Sequence, residues 1–264
     1  MLKSTEILQI GTNTILMESA SLQKLSTLLN ENFSKAVEDI LKIKGRVVIT
    51  GIGKSAIIAQ KIVATFNSTG TPALYMHAAD AIHGDLGMIQ QDDLVICISK
   101  SGNSPEIKAL APLITKNNTI LIGMVGNLDS YLAYNSTYIL DTTVDAEACP
   151  HNLAPTTSTT AQMAMGDALA VALIKCRDFK SDDFAKYHPG GALGKKLYLT
   201  LGEMAQANAR PSVSENASLS ECILAMTKGR LGAVLVTKDS ALVGIITDGD
   251  LRRMLAIHSN IGSF

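Results

Sequence analysis

The chain has almost no net charge, few cysteines and no long apolar run, and each shortage argues against a class of function. Lys and Arg number 23 against 24 Asp and Glu, a formal net charge of −1. No basic run concentrates cations on one face, as a nucleic-acid binder requires. The four cysteines, Cys97, Cys149, Cys176 and Cys222, contain no C-x-x-C pair, so a reduced cytoplasmic compartment fits better than a disulfide framework. Cys97 lies within an apolar run and reads as a small core residue. No stretch reaches the roughly 18 consecutive apolar residues of a membrane span. The opening MLKSTEILQIGTNTILMES has polar residues throughout and no apolar signal block. A soluble cytoplasmic protein with neither nucleic acid nor membrane as partner is expected.

What is present points to a buried sheet. Hydrophobic residues make up 47% of the 264 and charged residues 18%, a balance suited to one large domain and a small one. Residues 3–43 carry apolar positions at helical spacing (Ile7, Ile10, Ile15, Leu16, then Leu22, Leu25, Leu28, Leu29), which predicts two helices with a break near Asn30–Asn32. The texture then changes to short β-branched runs, RVVIT (46–50), DLVICIS (93–99), NTILIGMV (118–125) and STYILDT (136–142), with ALYM (73–76) as a fifth strand. Helical stretches at 54–69, 103–116 and 128–134 separate them, and a long helix runs from about Thr159 to Arg177. Strand alternating with helix predicts a parallel sheet covered on both faces. Ligands then bind outside the carboxyl ends of the strands, in the loops at 51–55, 77–86, 99–106 and 143–151.

From Gly202 a βαββα order is expected: strand 210–213, helix 218–228, strands 232–236 and 241–246, helix 248–256. The division is placed near 197–206, giving a large domain over 1–200 and a small module over 201–264.

The strand-end loops hold the candidate chemistry. GIGKSA (51–56) sets Gly53, Lys54 and Ser55 where a strand enters a helix, and free N–H groups at a helix start attract an anion. The segment is neither a Walker A loop nor a dinucleotide fingerprint, and an ordinary βα turn explains it equally well. In SKSGNSPE (99–106), Ser99, Ser101 and Ser104 with Gly102 and Asn103 make a neutral cradle for a phosphate monoester. Ser104 is an N-cap candidate with Pro105 at the first helical position, and Glu106 follows in the first turn, where an acid is also favoured by the helix dipole alone. His83, Glu147 and His188 are titratable residues in irregular segments, AADAIHGDLGM, VDAEACPHN and KYHPGGALG. Each also has an ordinary reading as a loop residue.

Taken together and in order, G-x-G-K-S, H-G-D-L-G-M, S-K-S-G-N-S-x-E, D-A-E-A-C-P and H-P-G-G-A-L-G resemble the arabinose-5-phosphate isomerase family. That family is built on the sugar isomerase (SIS) domain. The resemblance implies a flavodoxin-like, doubly wound sheet of five parallel strands. It implies a site of Lys54, His83, Glu106, Glu147 and His188 that interconverts D-ribulose 5-phosphate and D-arabinose 5-phosphate through an enediol. It also implies no cofactor, and a product that feeds 3-deoxy-D-manno-octulosonate synthesis for lipopolysaccharide or capsule.

Glu147, with its pKa nudged upward, is expected as the proton-transferring base and Glu106 as an orienting acid, the reverse remaining open. His83 lies in an H-G-x-L segment similar to the isomerase domain of hexosamine-phosphate synthases, where the histidine opens the sugar ring. Lys54 supplies positive charge, and His188 is an alternative acid. In relatives the H-P-G-G segment reaches a neighbouring subunit's site, so a homo-oligomer, a tetramer, is implied. No metal is needed for this route, although His83, Glu147, Cys149, His151 and His188 together offer an incidental zinc trap.

The region from Gly202 resembles a cystathionine-β-synthase (CBS) motif, above all LVGIITDGDLRRML (242–255), with Thr247 and Asp250 at positions that hold adenine nucleotides in some relatives. Such motifs pack in pairs, and this sequence contains one, so the module is expected to be incomplete and the chain truncated. Two rivals remain: a SIS module that senses a sugar phosphate without converting it, and an isomerase of another sugar phosphate.

Overall fold

The computed structural model describes residues 2–191 and 200–257. It separates into two compact units, Met1–His188 and Pro189–Phe264. The start of the expected division, 197–199, and the end of the H-P-G-G-A-L-G segment lie outside the described residues.

The first unit opens with α1 (Ser4–Thr27) and α2 (Glu31–Lys42), the break falling where Asn30 caps α2 by accepting a bond from Asn32 N at 2.9 Å. Strands β1 (Val47–Gly51), β2 (Ala73–His77), β3 (Leu94–Ser99), β4 (Leu121–Val125) and β5 (Tyr138–Asp141) form one sheet in the order β2-β1-β3-β4-β5, every pairing parallel. Every residue of β1, β3 and β4 is buried. That explains their unbroken apolar runs: a strand covered on both faces has no polar side to alternate with.

The helices α3 (Lys54–Ser68), α4 (Ala78–Ala81), α5 (Pro105–Thr115), α6 (Tyr131–Asn135) and α7 (Thr157–Cys176) divide between the faces. Alternate strand residues Val47, Ile49, Ile96 and Ile98 pack with Leu25, Ile40, Ile62, Phe66 and Leu169 of α1, α2, α3 and α7. Val48, Val95, Cys97 and Val125 pack with Ala81, Ile107, Leu110 and Leu132 of α4, α5 and α6. Burial pushes the Cys97 thiol up to about 12, so it serves as a core residue. At the amino-terminal edge of the sheet, buried Asp93 accepts bonds from Arg46 N at 2.6 Å and Arg46 Nη2 at 3.1 Å, fixing β1 beside β3.

A further helix, α8 (Ser181–Tyr187), follows α7. In the second unit, α9 (Leu201–Ala207) precedes β6 (Ser212–Ser214), α10 (Leu219–Gly229), β7 (Ala233–Lys238), β8 (Ala241–Thr247) and α11 (Asp248–Ile257). The sheet runs β6-β7-β8, with β6 parallel and β8 antiparallel to β7. Its core is small: Cys222, Met226 and Val234 are buried, with Val213, Ile246 and Leu251 around them. No helix among the described residues is long and apolar enough to cross a membrane.

Candidate active site

In the strand order 2-1-3-4-5, the chain leaves β1 toward β2 on one side and returns to β3 on the other. That switch point lies between the carboxyl ends of β1 and β3, where sheets of this kind form the crevice that binds ligands. Two of the four loops singled out from sequence, those after β1 and β3, flank it. After β1, Gly53 caps α3 with φ +59° and ψ −129°, a conformation open to glycine alone, and Lys54 starts the helix. Lys54 is exposed, and Ser55 Oγ donates to Gln162 Oε1 of α7 at 3.1 Å.

After β3, Ser99 Oγ accepts from Gly102 N at 3.0 Å and Ser101 Oγ accepts from Asn103 N at 3.3 Å. Asn103 Oδ1 accepts from Tyr131 N at 3.0 Å, which fastens the loop to α6. Ser104 is the N-cap of α5 and Pro105 occupies the first turn, yet the Ser104 hydroxyl makes no capping bond. Its Oγ is buried without a hydrogen-bond partner among the described residues. Glu106 follows, half-buried, with no carboxylate-bound donor among the described residues.

Glu147 has the most determined environment. The helix α7 begins without a side-chain cap of its own, and Glu147, well before its start in sequence, supplies the acceptor instead. Glu147 Oε2 accepts from Thr156 N at 2.8 Å, Ser158 N at 3.1 Å and Thr156 Oγ at 3.2 Å. Oε1 accepts from Ser158 Oγ and from Lys100 Nζ, the latter at 2.7 Å. Asn152, in the left-handed region at φ +53°, accepts from Glu147 N at 2.7 Å and closes the loop. The Glu147 side chain is 0% exposed. Burial pushes its pKa up, but Lys100, Ser158 and the backbone N–H groups of Thr156 and Ser158 outweigh that and hold it at about 2. The raised pKa expected of Glu147 as a base is therefore corrected: its pKa is lowered, and both its oxygens are occupied.

Lys100, Thr156 and Ser158 carry much of this network, and the sequence reading gave them no role. Lys100 lies inside a motif read for its serines. The hydroxyl-rich TTSTT at 156–160 was the available signal for the α7 end.

The other candidates are scattered. His83 sits exposed in the turn after α4, beyond the edge strand β2. His188 ends α8, with Nδ1 2.9 Å from Phe184 O and its ring stacked on Phe184 at 3.8 Å. Its neighbour Tyr187 lies over Gly70, just past the carboxyl end of α3. The 15 residues of α3, roughly 22 Å at helical rise, separate that end from Lys54. Within one chain, His188 thus stands at the opposite end of the sheet from Glu147. Among the described residues, no group of three or more His, Cys, Asp and Glu side chains could hold a metal ion, so the suggested zinc trap does not assemble there. In the second unit, Thr247 N and Oγ donate to Asp250 Oδ2 at 2.8 and 2.7 Å, and Arg253 pairs with Oδ1. These two residues cap α11.

Known proteins agree with this layout. Residues 40–172 match the model of the SIS domain and residues 207–257 that of the CBS domain. The arabinose 5-phosphate isomerase KdsD of Yersinia pestis is 47% identical over 248 residues, covering 93% of this chain and 76% of the relative. The enzyme of the same name from Escherichia coli K12 is 46% identical over 248 residues, with the same two coverages of 93% and 76%. A solved structure from Escherichia coli CFT073, in complex with arabinose 5-phosphate, superposes with a TM-score of 0.69 at 36% identity, covering 71% of this chain and all (100%) of that one. The chain belongs to the arabinose 5-phosphate isomerase family.

Proposed function

We propose that this protein is an aldose–ketose isomerase that interconverts D-arabinose 5-phosphate and D-ribulose 5-phosphate through an enediol. One observation carries the reading: Glu106, whose carboxylate has no partner among the described residues, lies in the first turn of α5 directly after a loop of hydroxyls and backbone amides whose buried Ser104 Oγ also has none among them. A phosphate monoester takes donors from Ser101, Ser104 and the loop N–H groups, with Ser99 and Asn103 holding the loop's shape. Gly53, Lys54 and Ser55 face it from the neighbouring strand end.

The geometry favours the alternative left open for the two glutamates. A base works best with a pKa near the operating pH and a free lone pair aimed at the proton it takes. Glu147, at about 2 and fully hydrogen-bonded, has neither. Glu106 is the base that carries a proton between C2 and C1, and Lys54 offsets the charge of the phosphate or the enediolate. His83 is the candidate for ring opening.

The same reading makes the protein a cytoplasmic homotetramer whose product supplies 3-deoxy-D-manno-octulosonate synthesis. Two features support assembly. The helix α1 leaves Ile7, Leu8, Ile10, Ile15 and Leu16 at least half exposed, an apolar stretch of the kind that marks an interface. His188, far from its own chain's Glu147, is free to serve another copy's site.

The test is proton NMR of D-arabinose 5-phosphate with the protein and a chelator. Appearance of ribulose 5-phosphate within minutes supports the isomerase. A sugar phosphate that binds, shifting its resonances, yet never converts would make the protein a sensor. Light scattering on the eluted protein reads the assembly state.

A further inference from the structure

Glu147 cannot meet a substrate directly in this arrangement, because its side chain is 0% exposed and both oxygens are occupied. The charged group that bonds it is Lys100. The lysine side chain is 43% exposed, and its ammonium has three N–H donors, of which Glu147 takes one. We propose that Lys100 is a catalytic residue of the isomerase: its ammonium, fixed on buried Glu147, donates to the sugar oxygens on which negative charge develops. Glu147 acts through the lysine as a positioning residue. The proposal rests on the isomerase reading above.

Three further observations fix Lys100 for that task. It lies at the carboxyl end of β3, one residue past the strand and six before Glu106. Its carbonyl accepts from Gly126 N at 3.1 Å, tying it to the end of β4. Gly126 also makes room for its stem: a Cβ there would lie 3.0 Å from Lys100 O and 3.2 Å from Lys100 Cγ. A buried carboxylate bonded to a half-exposed ammonium is a poor device for stability alone, since apolar residues of similar volume do as well or better. It is a good device for holding a cation at a set point on a crevice wall.

The chemistry balances without proton loss from the lysine. In open-chain arabinose 5-phosphate, the base takes the proton from C2. The C–H electron pair becomes the C1–C2 double bond, and the carbonyl π pair moves onto O1. Lys100 donates hydrogen bonds to O1 as that charge grows. The proton returns to C1, the O2 proton passes to O1, and a C2 carbonyl forms. No bond to nitrogen is made or broken.

The test compares Lys100→Met, Lys100→Arg and the double variant Lys100→Met with Glu147→Gln, each with steady-state kinetics on arabinose 5-phosphate and a thermal melt. The double variant leaves no unpaired buried charge, so it keeps the question open to experiment if Lys100→Met alone does not fold. We expect kcat to fall by about 10²–10³ in Lys100→Met, as when one transition-state donor is removed, with KM nearly unchanged. Lys100→Arg recovers part of the loss. The double variant loses no more than Lys100→Met, because Glu147 works through the lysine. A folded Lys100→Met or double variant with kcat within about twofold of the wild type overturns the proposal. So does a loss confined to KM, which would make Lys100 a phosphate contact. Wild-type protein that never converts the sugar overturns the isomerase reading itself, before any variant is compared.

Discussion

Lys100 Nζ stands 2.7 Å from Glu147 Oε1 across 47 residues of sequence, and this ion pair joins the end of β3 to the loop that opens α7. From α7 the network continues through Gln162 to Ser55 at the start of α3. One set of polar contacts therefore holds three strand ends around the crevice. Glu147→Gln should disturb all of it, because a neutral amide presents N–H groups to donors and leaves Lys100 without its anion. The expected loss is about 3 kcal/mol of stability, measured by urea unfolding, together with most of the turnover. A loss below about 0.5 kcal/mol, the scatter of an ordinary surface change, would show that the network relaxes around the amide.

Acid should weaken the protein in a defined window. The Glu147 pKa is lowered from 4.5 to about 2 on folding, so its contribution is complete above the unfolded value. It is lost as pH falls from 4.5 through about 2. The stability difference between wild type and Glu147→Gln, followed by denaturant unfolding across that window, should therefore shrink toward low pH. A constant difference would mean that Glu147 is not titrating there.

Glu106→Gln should leave the fold alone, since the carboxylate has no partner among the described residues. Thermal stability is expected within about 0.5 kcal/mol of wild type. The kcat should fall by about 10²–10⁴, the usual contribution of a general base. In deuterated water the C2 proton of arabinose 5-phosphate should cease to exchange. Near-normal exchange would remove Glu106 from the proton transfer.

Gly126→Ala tests the seat of Lys100 without touching its charge. The added methyl meets Lys100 O at 3.0 Å and Cγ at 3.2 Å, so the stem must give way. The expected result is a stability cost of about 1 kcal/mol, typical of mild overpacking. The effect on kcat should be out of proportion to it, about tenfold or more, because a misplacement of about 1 Å is felt strongly in catalysis. Unchanged kcat would indicate that the stem finds another path.

His188→Ala and Glu106→Gln should complement one another when mixed. In the proposed assembly His188 serves a neighbouring copy's site, so an oligomer built from both variants contains some sites with both residues intact. Mixing the inactive proteins under exchange conditions should restore part of the turnover. No restoration, with exchange verified by light scattering, would confine His188 to a structural role at the end of α8.

The alternation of buried runs and helical stretches determines the sheet from sequence alone. Val47–Gly51, Leu94–Ser99 and Leu121–Val125 are apolar almost throughout because both faces are covered, and the period of the intervening segments has no other use. The same holds for the helix break at Asn30, for Pro105 at the start of α5 and for the βαββα order of the small unit, where local chemistry fixes local structure. The serine loop and Glu106 were legible because residues adjacent in sequence stay adjacent in space.

Which distant residues meet was a matter for the tertiary structure. The charge state of Glu147 depends on Lys100, which lies 47 positions earlier, and on the start of α7. No local pattern encodes that meeting, so a carboxylate expected with a raised pKa has a lowered one beside Lys100. The place of His188 was settled in the same way: α3 and α7 run the length of the sheet and carry α8 to its far end. A sequence determines the periodicities that make strands and helices. Electrostatics depend on distances, and only the folded chain sets those.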